Sequence, residues 1–365
     1  MTDLRRLVVG IRTFEHSEWH RAWDIDRHRI TWIAPLRGAV VALVLAAFVV
    51  GIGRPDDATP LVVGAVFAAL ADAGEVPGRR WRTMLSTTAW ICVGAALGGV
   101  SADIGWWQFL YLPLIAWAAG FAGAAGPRAA ITGVLALVVF TVSDSAPMTM
   151  HVAERNVALI GLGGLIMTLV AVVPAVIRRP SLLATAFEPG PSVLRRMRPH
   201  LHYDDDFVRH GLRLALALTI GTLIGRISGW PHEFWIPMTV AWTTRPAFDG
   251  TVSRVIQRII GTILGIAVSV VIIEGLHLGP WGLVPLVGAS TLLALVFIWA
   301  NYPIAVVGIT VLVISLLGMM GDPVGATAGI RILATLIACA IALLASLTWP
   351  PRPPGPPGPA PAATA

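Results

Sequence analysis

The sequence predicts an all-α polytopic membrane protein of about 12 transmembrane helices, arranged as two parallel six-helix tandem repeats. Three observations predict it. Hydrophobic residues make up 56% of the 365, charged residues only 13%, and the mean hydropathy is +0.77, far from the composition of a soluble domain. The apolar runs approach the roughly 20 residues needed to cross a bilayer. Shifting the chain by 176 positions also brings rare residue types back into register: Arg37 meets Arg213, Gly74 meets Gly250, Arg82 meets Arg258, Pro127 meets Pro303, Pro147 meets Pro323, Arg155 meets Arg331 and Pro174 meets Pro350. Charges and prolines seldom coincide by chance in apolar segments, so the shift reads as a duplicated module.

Residues 1–32 are polar and Arg-rich, with Leu4, Leu7, Val8, Ile11, Trp19 and Trp23 among the arginines. This pattern suits an amphipathic segment lying at the cytoplasmic interface and lacks the continuous apolar core of a signal peptide. The first membrane repeat covers 33–177, with spans at about 35–52, 60–73, 83–100, 106–124, 129–142 and 156–177. A polar connector follows at 178–208, carrying Arg195, Arg196, Arg198 and the run Asp204, Asp205, Asp206. The second repeat, 209–350, has spans at about 212–227, 234–244, 259–273, 281–300, 303–320 and 332–349. Residues 351–365 are rich in Pro, Gly and Ala and should be extended and disordered.

All 26 cationic side chains are Arg. With the N- and C-termini cytoplasmic, only Arg54, Arg155, Arg226 and Arg331 fall toward the outer face, which satisfies the positive-inside rule. Trp106, Trp107, Trp230, Trp235 and Trp281 then form an outer aromatic belt, and Trp32, Trp81 and Trp349 an inner one. An even number of spans per half gives both halves the same orientation, so their two-fold axis runs along the membrane normal.

Several classes of function are disfavoured. The arginines lie between apolar spans, not in a basic stripe, so nucleic acid is not expected as a partner. Without any Lys there is no phosphate-binding Gly-Lys motif. Cys92 and Cys339 fall inside spans and suggest neither disulfide nor metal, and His16, Glu18 and His20 read as a solvated face. No nucleophile and base set is visible, so neither an enzyme nor a cofactor or metal is expected.

The most informative stretch is Phe234 to Gly265, FWIPMTVAWTTRPAFDGTVSRVIQRIIGTILG. Its first span is short and breaks at Thr243, Thr244, Arg245 and Pro246, where proline removes a backbone donor. Broken backbone and charge at membrane depth persist only against protein or a watery cavity. In transporters such breaks mark binding sites. Arg245, with Arg258 and Arg82, is therefore a candidate anion contact, since guanidinium pairs bidentately with carboxylate; helix-end anchoring is the competing reading. Thr244 and Trp242 adjoin the break, and Trp242 could stack on an aromatic ring. Arg37, Arg213, Arg155 and Arg331 are retained across the shift, with helix positioning favoured over anion contact. Glu154 could offset Arg155, whereas Arg331 follows Ile330 and is the better outer-side anion contact. Asp249 and Asp72 are the proton-coupling candidates, with Asp249 alternatively the counter-ion of Arg245. Gly261 with Gly265, and Gly94 with Gly98, should admit close helix approach.

The run of a short span, Arg-Pro, Arg254, Arg258 and Gly261-Thr262-Ile263-Leu264-Gly265 resembles the fusaric acid resistance and aromatic acid exporter family. In the first half Gly74, Arg82 and Ser86 keep part of the pattern, but Ala69 and Leu70 stand where Arg245 and Pro246 do. The resemblance implies export of small organic anions, aromatic carboxylates such as fusaric acid, from the cytoplasm across the plasma membrane by a secondary transporter. The connector is shorter than the soluble domain many members carry there. A passive organic-anion channel and a non-transporting membrane scaffold remain alternatives. The partners implied are the anion and the lipid bilayer, with a homo-oligomer or a periplasmic partner left open.

Overall fold

The computed structural model describes residues 25–72, 79–145, 149–178, 192–246 and 248–348. Expectations for the N-terminal segment, Gly74, Pro147, Trp349 and the Pro-rich tail lie outside these residues, as do those for the side chain of Asp249.

The regular structure is helical, with no strand among the described residues. Six longer helices precede the connector: α1 (Ile33–Gly51), α2 (Ala58–Ala71), α3 (Arg80–Ile104), α4 (Gln108–Phe121), α5 (Pro127–Asp144) and α6 (Met150–Arg178). The connector contributes one short helix, α7 (Val193–Met197). Six more follow: α8 (Asp206–Ser228), α9 (Trp235–Thr243), α10 (Phe248–Ser269), α11 (Pro280–Phe297), α12 (Tyr302–Met319) and α13 (Val324–Thr348). Among the described residues ten helical segments are long and apolar enough to cross a membrane, so the chain is a multi-pass membrane protein. The helices α2 and α9, with 14 and 9 residues, are shorter.

Local chemistry explains several boundaries. Proline opens α5, α11 and α12 at the first turn, where a missing N–H costs nothing. Asn301 caps α12 by accepting from the Ile304 N–H at 3.1 Å, and Asp205 caps α8 through the Phe207 N–H at 2.8 Å, each satisfying an otherwise orphaned donor. The short α9 ends because Thr244 turns extended, with φ −67° and ψ 124°, two residues before Pro246.

Before the connector, α3 packs on α5 and α6, and α2 on α1 and α6. After it, α10 packs on α12 and α13, and α9 on α8 and α13. The parts are joined chiefly by α1 against α11 and α4 against α8, and also by α5 against α9. The glycine expectation holds in space. A Cβ on Gly261 would come within 2.6 Å of the Pro303 carbonyl, and one on Gly265 within 2.6 Å of Thr310 Cβ. The same hypothetical atom on Gly94 or Gly98 would press on the carbonyls of Ala136 and Phe140 at 2.3 and 2.4 Å. Backbones this close allow dispersion contact between α10 and α12 and between α3 and α5. Cys92 and Cys339 are free and packed within helices.

One expectation fails here. Trp106, Trp107 and Trp281 are largely exposed, as a belt requires, but Trp235 is only 1% exposed. It starts α9 and turns inward because α9 is enclosed by α5, α8 and α13.

Candidate functional site

Arg245, Arg254 and Arg258 gather around Tyr302 behind the break after α9, and Arg331 on α13 lies toward the start of α9, near enough to Arg258 for their charges to act on each other. Arg254 and Arg258 are one turn apart on α10 and so share a face. The Arg254 guanidinium lies 3.6 Å above the Tyr302 ring at the start of α12. Arg258 is fully buried, and among the described residues none of its three guanidinium nitrogens has a hydrogen bond of good geometry, the Tyr302 hydroxyl being its near polar neighbour. That hydroxyl is also buried and lacks a well-aligned partner, and Arg245 is close enough for its charge to act on it. Arg331 on α13 is 1% exposed, with both terminal nitrogens unpartnered; its guanidinium sits 5.0 Å from the Trp235 ring centroid. Guanidinium stays charged when buried, and an uncompensated buried ion costs several kcal/mol even after relaxation. The cluster thus concentrates positive charge beside two aromatic faces, with no carboxylate partner for Arg258 or Arg331 among the described residues.

The backbone break is held in place by Arg213, 1% exposed on α8, which donates to the Pro246 carbonyl at 2.6 Å. On the other side of the break, the Arg245 N–H donates to Thr251 Oγ1 at 3.0 Å. Thr244 is buried and donates its hydroxyl to the Val240 carbonyl at 2.9 Å. Trp242 is half-buried and packs against both apolar cores.

The structure separates Arg82 and Asp72 from this cluster. Asp72, at the end of α2, is 2% exposed and paired with both Arg37 and Arg80. Arg82 is exposed and lines a cavity of about 2030 Å³ formed by α3, α4 and α5 with the ends of α1, α2 and α11, whose lining also includes Arg128 and Arg196. Two residues 176 positions apart, Arg82 and Arg258, therefore meet opposite environments.

At the opposite end of the bundle the polar groups pair more completely. Arg155 bonds Asp57, a start-of-α2 carboxylate, not the adjacent Glu154 that the sequence suggested. Arg226 sits 3.6 Å from Asp144 and 4.0 Å from Glu233. With its amide nitrogen turned to Asp144, Gln108 donates to Oδ1 at 2.6 Å and accepts from Arg226 Nη2 at 2.9 Å. His232 adopts a left-handed φ of 59°, uncommon for a residue with a Cβ. Its Nε2 is 3.3 Å from Asp322, and its ring lies 4.9 Å from that of Trp235. Burial holds the His232 imidazole below its ordinary value, with Asp322 opposing and Arg331 reinforcing that shift. Burial also raises the neighbouring Glu233 carboxyl, against the pull of Arg226 and with the push of Asp144.

Sequence reasoning named Arg245, Arg258 and Arg331 but missed Arg254, Tyr302, Trp235 and Arg213 as parts of one constellation. The spacing of Arg254 and Arg258 was the available signal. Tyr302 and Trp235 carried none, because their partners lie tens of residues away.

Residues 217–345 match the family described as fusaric acid resistance protein-like. The family resemblance is real. The matching segment contains α9 to α12 and most of α13, hence the whole arginine cluster. The chain is 33% identical over 162 residues to "Inner membrane protein YccS" of Escherichia coli (strain K12), a match covering 42% of this chain and 22% of that protein. It is 31% identical over 151 residues to "Uncharacterized protein slr1298" of Synechocystis sp., covering 40% and 19%. With "Uncharacterized protein ORF2" of Neisseria gonorrhoeae it shares 29% identity over 158 residues, covering 42% and 37%. The chain spans well under half the length of each of these curated relatives. No solved structure matches it.

Proposed function

We propose that the chain is a plasma-membrane secondary transporter exporting small organic anions, with aromatic carboxylates the favoured class. The observation that carries this reading is the buried, unpartnered pair Arg258 and Arg331 between Tyr302 and Trp235. A carboxylate would offset charge that the fold leaves uncompensated, and the aromatic faces would take an apolar ring. The fusaric acid resistance-like match over the same helices supports this reading, as do ten apolar helical segments. In this reading Arg258 and Arg331 hold the anion, Arg245 and Arg254 add attractive charge, and Arg213 is a positioning residue.

We further infer that the two halves arose by duplication and are related by an axis along the membrane normal. The helix pairings support it: α3 on α5 and on α6 reappears as α10 on α12 and on α13, and α1 on α11 mirrors α8 on α4. Glu233 stands 176 positions after Asp57. In the first half Asp57 pairs with Arg155, whereas Glu233 lies nearest Arg226, leaving Arg331 unpaired. A partner reassigned in one half thus leaves a charge available there for substrate.

The test uses purified protein in proteoliposomes loaded with radiolabelled benzoate or salicylate. Release should exceed that of empty liposomes and fall at least about tenfold in Arg258→Gln and in Arg331→Gln, equivalent to losing one bidentate contact of about 1.4 kcal/mol or more. Release no faster than from empty liposomes would overturn the assignment to aromatic anions, and unchanged release in both variants would overturn the site.

A further inference from the structure

The cavity beside Arg82 has a shape and a charge pattern distinct from the buried arginine cluster, and its volume decides between candidate ligands. At about 2030 Å³ it is roughly twice the upper size of ordinary small-molecule pockets, which reach about 1,000 Å³. A single aromatic acid would leave most of it empty. Its long wall is α3, from Arg82 through Trp90 and Val93 to Leu97. Fifteen residues of helix at about 1.5 Å each give a slot about 22 Å deep, enough to pass through one leaflet of a hydrocarbon core about 30 Å thick. Both α3 and α4 pack chiefly on neighbours other than each other, so the slot between them is floored by α5. Trp90, Val93 and Leu97 remain 57%, 45% and 44% exposed along it, which marks an opening toward the bilayer.

The polar lining is confined to one end. Arg37 and Arg80 share Asp72 there, the one carboxylate in the lining among the described residues, and Arg82, Arg128 and Arg196 line the same cavity. The same end gathers the connector and the arginine-rich helix starts, the cytoplasmic side by the positive-inside rule. An apolar slot one leaflet deep beneath a ring of guanidinium groups complements an amphiphile with an anionic head and an acyl chain. We propose that this slot is a binding site for an anionic phospholipid of the cytoplasmic leaflet, its phosphate at Arg82 and Arg196 and an acyl chain between α3 and α4. This proposal is independent of the anion-export reading, since the slot and the buried arginine cluster share no residue.

Native mass spectrometry of protein taken from nanodiscs of dioleoylphosphatidylglycerol and dioleoylphosphatidylcholine, mixed in equal parts, tests it. The expected result is one phosphatidylglycerol retained in preference to phosphatidylcholine. Arg82→Gln combined with Arg196→Gln should lower that preference about tenfold or more, since each surface cation contributes on the order of 1 kcal/mol to anionic-lipid attraction. Val93→Trp, which fills the slot from its exposed wall, should abolish retention of either lipid while the protein stays monodisperse with unchanged helical circular dichroism. Three results would overturn the proposal: equal retention of both lipids, retention insensitive to both variants, or a dimer that Val93→Trp converts to monomer, which would make a second copy the occupant. Because the readout is bound lipid and not flux, its failure leaves the transport assay untouched.

Discussion

At the scale of single residues, the arginines of this protein divide by what they touch. Arg213 has an assigned partner in the Pro246 carbonyl, whereas Arg258 has none. Opposite responses to removal of charge follow. Replacing an uncompensated buried ion with an apolar side chain of similar volume is neutral or stabilising by about 1–4 kcal/mol, so Arg258→Met should leave the melting temperature unchanged or raised in ligand-free detergent solution while ending anion release. Arg213→Met strands a carbonyl at the helix break and loses a charge-assisted hydrogen bond, a cost of about 1.5–3 kcal/mol; a fall in melting temperature should appear by differential scanning fluorimetry. Equal loss of stability in both variants would contradict the division. A third residue-scale prediction concerns pH. The His232 pKa is lowered by burial below its unfolded value of 6.5, so the unfolded chain binds the extra proton first and stability falls as pH drops below about 6.5. The raised Glu233 carboxyl acts in the opposite sense at lower pH, from its folded value down to 4.5. His232→Gln should flatten the decline in melting temperature just below pH 6.5; an unaltered profile would remove His232 as its source.

At the scale of elements, α9 is the unusual helix. It is too short to cross, is enclosed by α5, α8 and α13, and gives way to extended or irregular backbone at Thr244, Arg245 and Pro246. The break persists because its groups are satisfied locally, by Arg213 on Pro246 and by Thr251 on the Arg245 N–H. The geometry of α10 against α12 depends on Gly261 and Gly265, whose missing Cβ atoms leave room for Pro303 and Thr310. Gly261→Leu would force these helices apart, an overpacking cost of about 1–3 kcal/mol or more, and would displace Arg254 from Tyr302. The expected outcome is a lower melting temperature together with lost anion release. Loss of neither would mean that α10 tolerates a wider spacing.

At the scale of the whole molecule, the parts before and after the connector meet chiefly through α1 on α11 and α4 on α8, with α5 on α9 as a third contact. These contacts need no covalent link. A chain divided within 179–191, with both pieces co-expressed and one tagged, should copurify as a complex, whereas each piece alone leaves α4 or α8 without its partner surface. Failure of the pieces to associate would show that the connector is needed for assembly. The reading of the sequence reached this level unevenly. A helical, multi-pass fold was legible from the apolar runs, because hydrophobicity is a property of the chain itself, but ten described segments and not twelve are long and apolar enough to cross a membrane. The belt role of Trp235 and the pairing of Arg155 with Glu154 were misread, because burial and charge partners depend on which helix arrives alongside.

The sequence by itself determined that this protein is helical and membrane-embedded, that α9 must break at Arg245-Pro246, and that arginine is the residue of interest in its second half. Backbone donors, apolar runs and proline chemistry act within a few residues and need no fold to be read. Only the tertiary structure decided which arginines are answered. Asp57 comes from 98 residues away to meet Arg155 and Asp72 is drawn between Arg37 and Arg80, while Arg258 and Arg331 are carried into the interior with no carboxylate partner among the described residues. Coulombic pairing falls off over a few ångströms, so which charges remain unpaired is settled by how the helices pack.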